Sequence, residues 1–131
     1  MSRDRDSAWL SRFLAPRHAI AECAIIQWHG LGEADTPGED AHCRIQLACE
    51  HGGDDGRIVA AAFAAFGPPV VVACSDWVCE QVEDRTIKDA RSLNLRAIEQ
   101  ALVLAAGERY AALLVMDALD MALARASSNL G

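Results

Sequence analysis

Residues 64–84 read AAFGPPVVVACSDWVCEQVED. A run of small and β-prone residues meets Gly67-Pro68-Pro69. The residues beyond the prolines have a helical rhythm, with Val71, Cys74, Val78 and Val82 on one stripe and Asp76, Glu80, Glu83 and Asp84 on another. Proline fits the first turn of a helix, where its missing N–H has no intrahelical partner to lose. The stretch therefore predicts a strand-to-helix turn and a helix over Pro68 to Asp84. That helix turns its valines and Cys74 inward and its acidic stripe to solvent.

Working outward, three β-prone runs precede the turn: ECAIIQWHG (22–30), AHCRIQLACEH (41–51) and RIVAAAFAAF (57–66), each closed by glycine. The polar stretch LGEADTPGED (31–40) reads as the loop between the first two. Short connections imply an antiparallel meander. At the start, Ser7 caps a short helix over Ala8 to Leu14 that Pro16 ends, with Trp9, Leu10, Phe13 and Leu14 sharing a packing face. Beyond the turn, helices are predicted over Thr86 to Leu93, Asn94 to Leu104 and Gly107 to about Ser127. Strands first and helices afterwards make an α+β domain. It is a three-stranded antiparallel sheet packed against C-terminal helices, with a short N-terminal helix and a single domain over 1–131.

A chain of 131 residues buries roughly two thirds of the surface exposed when unfolded, enough for one core. Hydrophobic residues make up 52% of it, yet no run reaches the roughly 18 apolar residues a membrane span needs. The start, MSRDRDSAWLSRF, lacks the layout of a secretory signal, so a cytoplasmic location is expected. The net charge of −7 repels a phosphate backbone and no basic patch offsets it, which argues against nucleic acid and leaves room for a basic protein partner.

Five cysteines, an odd number, without an export signal read as reduced thiols. Cys43, Ile45, Leu47 and Cys49 alternate with His42, Arg44, Gln46 and Glu50, placing the first set on the core face of a strand. Cys43 and Cys49 then stand roughly 20 Å apart and cannot share a metal ion. Cys74 and Cys79 differ by about 140° around their helix, and Cys23 alternates with Ile25 in the first run. No pair has the C-x-x-C spacing of a zinc or redox motif.

The segment from His29 to His42 offers another donor set, with Glu33, Asp35, Glu39 and Asp40 between two imidazoles. Such groups bind zinc or iron, and they are equally a solvated loop. In the last helix, Asp117 and Asp120 interrupt a largely apolar surface that either packs deeply or meets another chain. No Ser-His-Asp, Cys-His or phosphate-loop constellation is present, so no enzyme activity is expected.

In order, LAPRHAI, CRIQL, DGRIVAAAFAAFG, the helix with Trp77 and Val78, and LLVMDALDMAL resemble the elements of the NifU/IscU family of iron–sulfur cluster scaffolds across nearly the whole chain. The resemblance implies the family's fold. It also implies that the three loop positions where the family carries cluster cysteines are occupied here by Glu39, with Asp40 beside it, Pro68 and Ala111, the last following Tyr110. A cluster is ordinarily held by thiolates. The family's chaperone-docking segment corresponds to LAAGE, ending in Glu108. The resemblance thus suggests a divergent member acting as a non-catalytic binding or adaptor subunit in iron–sulfur cluster assembly or sulfur handling. No cofactor is then expected, and the partner is a protein of such a pathway, with a homo-oligomer left open. The alternative is a scaffold that binds iron, zinc or a cluster through Glu39, Asp40, His42 or rearranged cysteines.

Overall fold

The computed structural model describes residues 9–19, 28–36, 38 and 40–129. Its elements are a short helix α1 (residues 9–14), strands β1 (Gly30–Thr36), β2 (Ala41–Cys49) and β3 (Ile58–Phe66), and helices α2 (Pro69–Val82), α3 (Ile87–Ala90), α4 (Leu95–Leu102) and α5 (Arg109–Asn129). A single 3₁₀ turn, Ala106–Glu108, leads into α5. The strands form one antiparallel sheet in the order β1-β2-β3. Helices α2 and α5 pack side by side on one face, α2 over β3 and β2, α5 over β1 and β2. This is the α+β arrangement expected from the order of the runs.

Strand alternation builds the core. Cys43, Ile45 and Leu47 of β2 stand opposite Ala65, Phe63 and Ala61 of β3, and Cys49 opposite Ile58 after a bulge at Ala48. All but the half-buried Ala65 belong to the buried core, with Val71, Cys74, Val78 and Val82 of α2. From α5 come Ala111, Val115, Leu119 and Leu123, spaced four residues apart along one stripe. Predicted helix ends hold where a side chain fixes them. Thr86 Oγ1 accepts from Asp89 N–H (3.0 Å) and Asn94 Oδ1 from Ala97 N–H (2.9 Å), each satisfying a donor that a helix start leaves unpaired.

Three expectations need correction. The first concerns β1, which occupies Gly30–Thr36, inside the stretch assigned to a loop, whereas the run assigned to the first strand falls mostly on residues 20–27, outside the described residues. Glycines that read as breakers are there for packing. A Cβ on Gly30 would fall 2.3 Å from the Ala122 carbonyl oxygen, and one on Gly32 2.0 Å from that of Ala118. Only a strand without side chains at these positions lets α5 approach so closely. The second concerns α1, where Trp9 and Phe13 are half-buried but Leu10 and Leu14 are 39% and 69% exposed, so the four do not share a packing face. The third concerns the acidic stripe of α2, because Asp76 is only 1% exposed.

Candidate functional site

Three segments converge at one end of the sheet. Gly67, with φ 124°, sits so close to the β1–β2 turn that a Cβ would lie 2.9 Å from Ala41 Cβ. The β3–α2 turn is thus pressed against Asp40 and Ala41. The third segment is the start of α5. Gly30 lies against Ala122 and Ala126, and Gly32 against Ala118, so four helix residues advance for every two strand residues, about 6 Å in each. Carried to Thr36, that spacing brings Tyr110 and Ala111 level with the same turn.

At this end Pro68 opens α2 without a side-chain cap, and Ala111 is fully buried. Asp40 is exposed with φ 54°, and Glu39 lies outside the described residues. His42 stands on the opposite face of the sheet from the helices. Its Nδ1 meets Asp35 Oδ1 at 2.7 Å and its Nε2 meets Glu33 Oε1 at 3.2 Å, while its ring stacks on Phe66 with centroids 5.5 Å apart. His29 is at the far end of β1, where its Nδ1 accepts from Cys49 N–H (2.9 Å). The strand that replaced the supposed loop separates the two imidazoles. Among the described residues, no group of three His, Cys, Asp or Glu side chains is arranged to hold a metal ion.

Beneath the three segments lie two thiols that do not reach the surface. Ser75 Oγ donates to Val71 O (2.8 Å), leaving the Cys43 thiol to donate to Ser75 Oγ (3.2 Å). Burial pushes the Cys43 thiol up to about 12. Burial, with the charges of Cys43 and Glu108, pushes Cys74 up to about 12 as well. A thiol binds metal as its thiolate, so these two are inert where they stand. Cys49 and Cys79 are also buried, and Cys23 lies outside the described residues.

The other polar centre is on α2 and was missed by sequence reasoning. Asp76 Oδ1 accepts from the backbone N–H groups of Arg17 and His18, each at 2.8 Å, and Oδ2 meets Arg12 Nη1 at 2.8 Å. Arg12 also reaches Glu80 Oε1 (2.8 Å). Burial alone would lower the Arg12 pKa, but Glu80 and Asp76 outweigh it and raise the value. His18 Nε2 contacts Glu83 Oε1 (3.1 Å), and Glu83 Oε2 accepts from Ala61 N–H (3.0 Å). Asp117 and Asp120 sit on the exposed side of α5. Partial burial and the neighbouring Asp117 raise the Asp120 pKa.

The family profile described as NifU-like N terminal domain matches residues 10–129. The chain belongs to this family. Among solved structures, it is similar to a putative iron–sulfur cluster assembly scaffold protein for the SUF system from the thermophilic Fervidobacterium islandicum, at 15% identity and TM-score 0.68 over 88% of this chain and 93% of that one. It is also similar to a hypothetical protein, at 14% identity and TM-score 0.70 over 95% and 100%. No curated protein matches the sequence. At these identities the structural likeness establishes the fold, and it agrees with the family match over the same elements. In this NifU-like chain the Leu104–Glu108 segment ends in a 3₁₀ turn where Glu108 Oε1 accepts from Ala105 N–H (2.9 Å). Its carboxylate is folded back on its own backbone. Among the described residues, no helix is long and apolar enough to cross a membrane.

Proposed function

We propose that this NifU-like domain serves iron–sulfur cluster assembly or sulfur handling as a non-catalytic binding or adaptor subunit, offering the family's surface to a protein partner without holding a cluster of its own. One observation carries this reading. Where three segments converge, the described positions present a proline at the head of α2 and a fully buried alanine on α5, and the nearest thiols, Cys43 and Cys74, are buried and held protonated. A cluster asks for accessible thiolates, so this donor set does not fit one. The alternative, metal held by Glu39, Asp40 and His42, asks His42 to give up Asp35 or Glu33, since each ring nitrogen already faces a carboxylate.

The test is anaerobic purification followed by reconstitution with iron and sulfide, reading bound metal and visible absorption together. The expected product is colourless, folded and free of stoichiometric metal. A stable cluster at stoichiometric occupancy overturns the adaptor reading. Stoichiometric iron or zinc that disappears in a Glu39→Ala, Asp40→Ala, His42→Ala triple variant transfers the assignment to the alternative.

A further inference from the structure

The segment before the sheet is attached in a way unlike the rest of the molecule. None of residues 9–19 is fully buried, and two of its leucines face solvent. Trp9 and Ala19 pack partly against the core, and its other anchors are polar. Asp76 gathers the Arg12 guanidinium and the N–H groups of Arg17 and His18, and Glu83 takes the His18 ring. Its backbone then closes the outer edge of β3, with Phe63 N–H donating to His18 O (2.9 Å) and Ala19 forming a parallel bridge to Phe63. Two open clefts flank the contact, about 240 Å³ beside Arg12, Asp76 and Glu80 and about 380 Å³ beside His18 and Glu83. Water therefore stands close to both sides of the latch.

Segments with few buried apolar contacts open at low free energy, while the core opens only with global unfolding. When this one lifts, Asp76 is rehydrated through the clefts rather than left as an uncompensated buried charge, so opening does not require the core to break. We propose that residues 9–19 form a strap latched by Asp76, which opens as a unit and exposes the β3 edge at Phe63 while the sheet and α2–α5 stay folded. The proposal is independent of whether the domain holds a cluster.

The test is native-state amide hydrogen exchange on the full chain, comparing Phe63, whose acceptor is on the strap, with Leu47 in the middle of the sheet. Asp76→Asn removes the latch charge with little change of shape. Arg12→Gln with His18→Gln weakens the same latch from the strap side, leaves the core side chains intact, and serves if the first variant folds poorly. The expected result is at least tenfold faster exchange at Phe63 with Leu47 unchanged, and faster tryptic cleavage after Arg17. Phe63 and Leu47 accelerating together, neither changing, or both variants failing to fold would each overturn the proposal, since each makes the strap part of the core or the latch irrelevant to it.

Discussion

The two outer strands of the sheet meet their covers by opposite means. β1 is pressed under α5 with no strand side chain at Gly30 or Gly32, which lie against the backbone of Ala122 and Ala118. β3 is bordered by the strap through hydrogen bonds and carboxylates, with Asp76 and Glu83 as the organising groups. Close apolar packing tolerates almost no added volume, because a packed interior transmits strain. A polar border tolerates change in volume but not in charge, because each donor aimed at Asp76 needs its acceptor. One side of the fold is therefore limited by shape and the other by electrostatics.

The largest effect is expected on the β1 side. Gly32→Val places branched carbons where even a Cβ lies 2.0 Å from the Ala118 oxygen, so α5 must move. The expected loss is about 3 kcal/mol or more, the upper end of overpacking costs, read as a lower urea midpoint. An unchanged midpoint would mean that α5 does not press on β1. On the β3 side, Asp76→Ala leaves Arg12 and two backbone N–H groups without their acceptor, and a loss of about 2 kcal/mol is expected from the loss of hydrogen bonds to a charged group. A loss as large as that of Gly32→Val would remove the contrast between the two sides.

Both of these features escaped local reading, and for the same reason. Glycine at 30 and 32 marks a break unless one knows that a helix whose contacting residues lie 86 to 96 positions later needs the space, and Asp76 reads as solvent-facing unless its donors, 58 to 64 residues away in sequence, are known. Features set by neighbours in sequence were legible. The alternation of Cys43, Ile45, Leu47 and Cys49 placed the core face of β2, and Gly67-Pro68-Pro69 placed the start of α2 within a residue. The candidate site divides along the same line. The proline at its turn is visible in the sequence, whereas the depth of Ala111 and the separation of His29 from His42 depend on how α5 and β1 are laid against the sheet.

Helix α2 carries the contrast within two residues, since Cys74 and Asp76 are equally buried in surroundings of opposite kind. Cys74 and Cys43 are held protonated up to about 12 in the folded protein, against an ordinary value of 9.0. Their unfolded forms ionise first, so between these values the unfolded state binds fewer protons and stability falls as pH rises. It is unaffected below about pH 8. By proton linkage the loss at pH 10 is about 1.4 kcal/mol per thiol, measurable as a decline in urea midpoint from pH 8 to 10 that shrinks in a Cys43→Ala, Cys74→Ala variant. An identical decline in that variant would place these thiols in contact with solvent.

The smallest change expected is at Glu83, which serves both the strap and the sheet. Its Oε2 accepts from Ala61 N–H and its Oε1 faces His18 Nε2, with the side chain 32% exposed. Glu83→Gln keeps a carbonyl oxygen for Ala61 and turns an amide group toward His18, so the sheet bond survives and only the charge is lost. For a partly exposed contact that loss is about 0.5 kcal/mol. If Glu83→Gln instead costs as much as Asp76→Ala in urea denaturation, the β3 border is organised around Glu83. Asp76, for all its burial, would then be one acceptor among several rather than the group on which the strap depends.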